Sequence, residues 1–290
     1  YFATVLIRTE PLDAEAKTAP VNVFLTPAKR RIYSAGVGFT TDTGPHGRLG
    51  YTNRRVNARG HQLESKLYLS PVRSELNASY RWPRKNPRRE WYSVAVGYQQ
   101  EDTDTSEHET YKLGLLRSRS RGKTWLETRY IDYAYEDFTV ADQQSTSQLV
   151  ILGTNWEAAA GQALSRAIEG YRLSVDIRGG GDSLGSDTSF LQLRTKAKWI
   201  HSFGGRTRVL LRTGIGATAK DEFTELPASV RFFAGGDRSV RGYDFESLGP
   251  VDEEGDIIGG SGTVTVTGTG GANPLSISFI CGKFLLFLLY

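Results

Sequence analysis

Over most of its length this chain alternates apolar and polar residues with a period of two. Tyr33, Ala35, Val37 and Phe39 share one face of such a segment, and Ser34, Gly36, Gly38 and Thr40 share the other. Tyr92, Val94, Val96 and Tyr98 repeat the pattern, as do Tyr171, Leu173, Val175 and Ile177. Leu191, Leu193, Thr195, Ala197 and Trp199 alternate with Gln192, Arg194, Lys196 and Lys198; Val209, Leu211, Thr213 and Ile215 follow the same rule. Successive side chains of a strand point to opposite faces, so each segment reads as a strand with one apolar side. The segments run to about ten residues, near the roughly 9–11 that cross a bilayer at a tilt. Strands of soluble proteins average about 5–6. Aromatics close the apolar faces, as Tyr92 and Tyr98 do, while full charges stand mid-strand on the polar faces. The pattern predicts an all-β chain, a transmembrane antiparallel β-barrel with lipid on one side of each strand.

Composition agrees. Mean hydropathy is −0.38 and no apolar stretch exceeds Phe284 to Tyr290, far short of the roughly 18 residues of a spanning helix. A barrel looks this hydrophilic because only alternate residues meet lipid. The 14 Tyr, 13 Phe and 5 Trp are enough for aromatic girdles at two interfaces, and 32 Gly suit many turns. With no Met in its 290 residues, the chain reads as a processed or partial form. The single Cys281 excludes an internal disulfide framework and a multi-Cys zinc site. A net charge of +4 is too weak to indicate nucleic acid.

The alternation predicts about eleven consecutive strands: roughly 32–41, 47–57, 61–70, 74–83, 90–100, 109–118, 123–134, 147–157, 169–179, 188–200 and 205–217. Their connections then fall into two sets by side. One is basic: Arg81 to Arg89, Arg117 to Lys123, and Gly204-Gly205-Arg206. The other is mostly acidic: Gln99 to Glu109, Glu136 to Asp142, Gly179 to Asp187 and Asp221 to Glu225. A long connection, residues 218–260, is the sixth of the acidic set.

That sixth loop carries Phe-Phe-Ala-Gly-Gly-Asp-Arg-Ser-Val-Arg-Gly-Tyr-Asp at 232–244. The run resembles the Val-Arg-Gly-Phe/Tyr loop of the outer-membrane protein assembly barrel superfamily. Its longer form, Ala-Gly-Gly-Asp-Arg-Ser-Val-Arg-Gly-Tyr, is most similar to the TamA family, the barrel subunits of the translocation and assembly module. The resemblance covers residues 1–260. It implies a bacterial outer-membrane location and a loop folded back into the barrel lumen. The motif residues would be Gly235, Gly236, Asp237, Arg238, Val240, Arg241, Gly242 and Tyr243, with Arg241 the most specific. A buried guanidinium must be paired, its planar fork suits a bidentate acceptor, and the glycines permit a tight backbone around it. Asp237 and Asp244 are candidate local partners.

The resemblance further implies a division of the chain. Residues 1–30, with strands around Tyr1 to Ile7 and Val21 to Leu25, look like the end of a periplasmic POTRA domain. Residues 31–260 are the barrel, including the signature loop 218–260. Residues 261–290 are a low-complexity insert, Ser261 to Asn273, followed by an atypical strand at Cys281 to Leu286. A family barrel has sixteen strands, so about twelve are expected here. The implied function is insertion of outer-membrane proteins, autotransporters in particular, by strand templating at the barrel seam. Partners would be outer-membrane lipids, unfolded outer-membrane protein clients and a periplasm-spanning, inner-membrane-anchored protein; no cofactor and no nucleic acid are implied. A two-partner secretion exporter and a passive porin are the alternatives.

Other motifs carry less. Gly181-Asp182-Ser183-Leu184-Gly185 matches an esterase signature, but a nucleophile elbow needs strand, turn and helix with a downstream acid and His. Here it joins two strands, and the sole later His is His201. His46, His61, His108 and His201 are too scattered for a metal site. Arg172, Arg178, Arg194, Lys196, Lys198, Arg208 and Arg212 fall on the polar side of their strands and predict a basic stripe in the lumen. Such a stripe suits an inserted loop or a passing anionic segment.

Overall fold

The computed structural model describes residues 2–9, 19, 21–41, 43–87, 89–103, 105–140, 143–161, 169–203, 207–220, 226–236, 239–240, 243–253, 255–270 and 273–281. Two antiparallel sheets result. The first is a hairpin of β1 (Phe2–Thr9) and β2 (Val21–Pro27), pairing Ile7 with Val23 and Leu6 with Phe24. The second has thirteen strands: β3 (Arg31–Thr40), β4 (Gly44–Asn53), β5 (Gln62–Leu69), β6 (Arg73–Pro83), β7 (Glu90–Asp102), β8 (Ser106–Arg121), β9 (Trp125–Val140), β10 (Gln143–Gly161), β11 (Gly170–Gly180), β12 (Phe190–Phe203), β13 (Thr207–Lys220), β14 (Gly262–Gly270) and β15 (Asn273–Cys281). Each pairs antiparallel with its neighbours in sequence, so the sheet is an up-and-down meander with β3 and β15 at its ends. No helix among the described residues is long and apolar enough to cross a membrane.

Away from the signature-loop end, the register keeps the apolar faces of neighbouring strands on one side. Leu76 lies opposite Tyr98 and Leu67, Val96 opposite Leu113, Ile131 opposite Leu115 and Leu152, and Ile215 opposite Thr195 and Val264. Leu76, Val96, Leu113, Leu115, Ile131, Leu152, Ile215 and Val264 are exposed, as a lipid-facing surface requires; Val37 on β3 reaches 94%. One aromatic row, Trp82, Tyr92, Trp125, Tyr171 and Trp199, marks one end of this outer face. A second, with Tyr98, Tyr111 and Tyr135, marks the other.

Eleven strands, β3 to β13, precede the signature loop, and that loop is the sixth at its end of the sheet, as the alternation predicts. Two differences have physical causes. First, Ser261 to Asn273, low in complexity by composition, is largely β14, and the sheet holds thirteen strands where about twelve are expected. Its Thr and Val alternate and are β-branched, which favours extended backbone despite the glycines. Val264 and Val266 face outward opposite Ile215 and Thr213. The part of the expected strand beyond Cys281 lies outside the described residues.

Second, β8, β9 and β10 reach 16, 16 and 19 residues, longer than a bilayer needs. Their extensions stand at the signature-loop end. There the inner face turns apolar: Ala134, Phe138, Val140, Leu149 and Ile151 are all buried. The loop covers them, so the two small apolar cores among the described residues lie between wall and loop.

Candidate functional site

The signature loop leaves β13 and returns to β14, and from Leu226 onward it packs on the inner face. Leu226, Ala228 and Val230 supply its apolar side, with Leu226 fully buried against Ala134, Leu149, Ile151 and Phe190. Ala228 meets Phe138 and Val140. Burying such side chains contributes about 1.5–3 kcal/mol each for the larger ones. Ala228–Val230 form a single 3-10 turn, whose amides need acceptors outside the loop. The wall provides one: the Ser229 amide donates to Glu136 Oε1 of β9 at 3.0 Å, and the Ser229 hydroxyl donates to Glu136 Oε2.

Gln192 of β12 is fully buried beneath the turn, 0% exposed. Its Nε2 donates to Thr218 Oγ1 and to the Val230 carbonyl, both at 2.7 Å, and its Oε1 accepts from Arg178 Nε at 2.8 Å. Arg194 Nη2 donates to the Ser229 carbonyl at 3.1 Å, and its guanidinium lies 5.4 Å from the centre of the Phe232 ring. Phe232 in turn rests on Gly216 of β13. A Cβ there would stand 2.4 Å from the ring, so this close approach requires glycine.

Arg231 closes the neck. It is 4% exposed; Nε donates to the Leu226 carbonyl at 2.7 Å and Nη1 to the Ile258 carbonyl at 3.0 Å, joining the loop's two arms. Backbone pairs continue the closure. Phe232 and Gly260 exchange bonds of 2.9 and 2.8 Å, and Ala234 and Leu248 do the same at 2.8 and 2.9 Å. The described motif residues Gly235, Gly236, Val240 and Tyr243 thus stand in a lobe closed between Ala234 and Leu248. Gly235 opens the lobe at φ +113, where a Cβ would meet the Asp244 carbonyl at 2.2 Å. Gly236 follows at φ +91, its amide bonded to the Tyr243 carbonyl at 2.9 Å. Val240 is buried and Tyr243 exposed. Asp237, Arg238, Arg241 and Gly242 lie outside the described residues; among the described arginines, Arg194 and Arg231 bond to the loop backbone.

The far side of the lobe meets β7 and the β7–β8 turn. Thr105 Oγ1 donates to the Glu246 carbonyl at 3.0 Å, and the Glu246 carboxyl hydrogen-bonds Glu101. Glu101 is also approached by Gln99 Nε2 at 3.1 Å, Arg73 Nε at 3.5 Å and His108 Nε2 at 4.0 Å. Burial, and then the Glu101 carboxylate, push the Glu246 carboxyl up to about 8, against the pull of Arg73 and Arg194. A docked loop therefore holds more protons than a free one between the ordinary value of 4.5 and about 8. Docking is expected to be strongest below that window and to weaken as pH rises through it. Glu246→Gln should flatten the profile. A fluorophore on Tyr243→Cys, in a Cys281→Ser background, reads loop release against pH.

The predicted basic stripe lies on one face, as its alternation requires. Arg172, Lys198 and Arg212 stand side by side across β11, β12 and β13. The stripe divides: Arg178 and Arg194 engage the loop's network, while Arg172 turns to Glu157 at 2.8 Å. Beside the loop is a cavity of about 1140 Å³, whose wall includes Arg48, Lys66, Lys112, Arg178, Arg194 and Lys196. Glu136, Gln192, Gly216 and Arg231 seat the loop, and no motif marks them in the sequence. The run Leu149-Val150-Ile151-Leu152 was the available signal, since apolar residues at both parities mean both faces are covered.

The esterase-like run is a 3-10 turn at Asp182–Leu184 between β11 and β12. Ser183 and His201 lie toward opposite ends of the sheet, separated by about 36 Å of β12. Among the described residues no three His, Cys, Asp or Glu side chains are grouped to hold a metal ion.

A long-stranded meander with an apolar outer face, two aromatic rows and a loop fastened to its polar face defines an outer-membrane barrel-type protein. An Omp85 superfamily domain matches residues 32–269, and the chain belongs to that superfamily of outer-membrane protein biogenesis and translocation factors. Its fold is that of solved members. BamA from Haemophilus ducreyi lacking POTRA domains 1–3 superposes with a TM-score of 0.73 at 15% identity, covering 98% of this chain and 59% of that one. CdiB from Escherichia coli gives 0.62 at 13% identity, covering 97% and 57%. CdiB from Acinetobacter baumannii gives 0.59 at 14% identity, covering 97% and 56%. The chain thus spans less than two thirds of each of these structures.

Proposed function

We propose that the chain is the barrel part of a TamA-like assembly factor, preceded at 1–30 by the end of a POTRA domain. In this reading it inserts outer-membrane proteins, autotransporters among them, by offering a sheet edge to an incoming strand. The observation that carries the reading is β3. It is the first strand of the large sheet, and its outward row, Tyr33, Val37 and Phe39, is strongly exposed. Edge N–H and C=O groups bared by an opening seam would be a template for β-augmentation. Gly36 and Gly38 on its other face weaken the strand and make it a labile edge. The signature-loop end is then extracellular and the basic-turn end periplasmic. A periplasm-spanning, inner-membrane-anchored partner would dock on the POTRA side.

Arg241 would act by pinning the motif lobe, so that the seam keeps its working state. The test uses the intact protein with an autotransporter client. A cysteine at Val37 is expected to cross-link to the client's terminal strand during assembly, and Arg241→Ala is expected to lower the cross-link yield about ten-fold or more, as loss of a paired buried charge implies. Full yield in Arg241→Ala would remove the motif from the mechanism, and no cross-link from Val37 would remove strand templating.

The cation-lined cavity favours a second reading, a two-partner exporter that passes a polypeptide through the lumen. That protein would show steady conductance in a planar bilayer and serve one cognate substrate. A passive porin would conduct equally with Arg241, Gly242 and Tyr243 replaced.

A further inference from the structure

The basic end of the sheet carries an arrangement that loop insertion does not use. On the outer face of β8, the apolar row Leu113, Leu115 gives way to Arg117, Arg119 and Arg121. On β9, Ile131 gives way in the same direction to Arg129 and Glu127. Arg117 stands directly opposite Arg129, a placement of like charges that destabilises a sheet unless something offsets it. Glu90 and Glu127 partly do so. Glu90 Oε1 takes Arg117 at 2.6 Å and Arg84 at 3.0 Å; Glu127 takes Arg121 and Arg129, each at 2.7 Å. Each carboxylate is thus shared by two guanidiniums. Arg119, between Glu90 and Glu127 in register, has no ion pair among the described residues. Five arginines face two glutamates, and exposed Lys85, Arg89 and Lys123 of the adjoining turns add to the excess.

Depth selects the occupant. Arg117 and Arg129 lie two residues, about 7 Å of strand, beyond the exposed Leu115 and Ile131. Trp82 and Tyr92 occupy the same cross-strand row as Arg117, and Arg84 lies 5.7 Å from the Tyr92 ring. Aromatic rings in such a row sit at headgroup level. A cation excess there faces lipid phosphate, and the planar guanidinium fork matches phosphate oxygens.

We propose that the outer face of β6–β9 at the basic-turn end is a docking surface for the phosphate headgroups of anionic phospholipid. The test is native mass spectrometry of the full chain in detergent, offered equal amounts of dioleoyl phosphatidylglycerol and dioleoyl phosphatidylcholine. Phosphatidylglycerol should be retained about five-fold or more over phosphatidylcholine, and Arg119→Gln with Arg129→Gln should reduce that preference about five-fold or more. Arg212→Gln, on the inner face, should leave it unchanged. In the unmodified chain the preference should vanish near 1 M salt, where screening acts within about 3 Å. Equal retention of the two lipids, or a preference unmoved by the double substitution, overturns the proposal. So does complete displacement by excess inorganic phosphate, which marks a free-phosphate site. Binding of an acidic polyglutamate peptide without lipid preference overturns it too, in favour of an acidic protein partner.

Discussion

Arg231→Ala is expected to release the signature loop from the inner face while leaving the thirteen-stranded sheet paired. The guanidinium joins the loop's two arms through the Leu226 and Ile258 carbonyls, and it is buried. Removing it orphans two acceptors, each at about 1–3 kcal/mol. A combined loss of about 3 kcal/mol shifts the docking equilibrium roughly a hundred-fold. Hydrogen exchange at the Phe232 and Gly260 amides, which pair just beyond the neck, should accelerate by about that factor. Amides of β8 and β9 on the outer side of the wall should not change. Arg231→Lys supplies a single donor group without the fork and should fall between. Unchanged exchange at Phe232 in the alanine variant would show that apolar burial of Leu226 and Val230 suffices to hold the loop.

The second large effect belongs to Gly216. Leucine there would drive a side chain into the Phe232 ring, which a bare Cβ already meets at 2.4 Å. Overpacking of this kind costs about 1–3 kcal/mol, and the strand backbone of β13, bonded on both sides, has little room to yield. The ring must leave, taking with it the contact to Arg194. Limited proteolysis within 232–248 should become at least about ten-fold faster. Adding Phe232→Ala to Gly216→Leu makes room and should restore much of the protection. The pair couples because they share one space, and couplings of about 0.5–3 kcal/mol are usual for such neighbours. Additive losses in the double variant would mean that the ring is not what the leucine displaces.

The wall of this molecule was legible in its residues because lipid reads only one parity. Tyr92, Val94, Val96 and Tyr98 could not be anything but one face of a strand, and counting such faces placed the long loop at its correct end. The loop's attachment was not legible. Gln192 looks like any polar residue of the inner face, and Glu136 like any acid near a turn. Their importance comes from Val230 and Ser229, 38 and 93 positions away, and alternation carries no information at that range. Gly216 was one of many glycines until Phe232 was seen lying on it. The motif drew attention to Arg241, while Arg231 stood just ahead of it with no signature at all. Gly262 to Gly270 carries two signals at once. Its Gly and Thr content suggested low complexity, whereas the Thr–Val alternation inside it was the truer signal. Arg117, Arg119 and Arg121 of β8 fall within the basic turn Arg117 to Lys123 by alternation alone; the register shows that they continue the lipid-facing row.

The order of contacts in this sheet also sets an order in time. Every strand of the meander pairs with its sequence neighbour, so the wall can grow hairpin by hairpin with short closures at each step. The loop cannot follow that schedule. Ser229 must find Glu136 and Glu246 must find Thr105, 93 and 141 residues earlier, and Gln192 and Thr218 must already be paired to receive it. Its seat exists only once strands β7 to β13 stand in register, so a slipped hairpin anywhere among them leaves the loop outside. Docking of this loop is the molecule's own inspection of its finished wall.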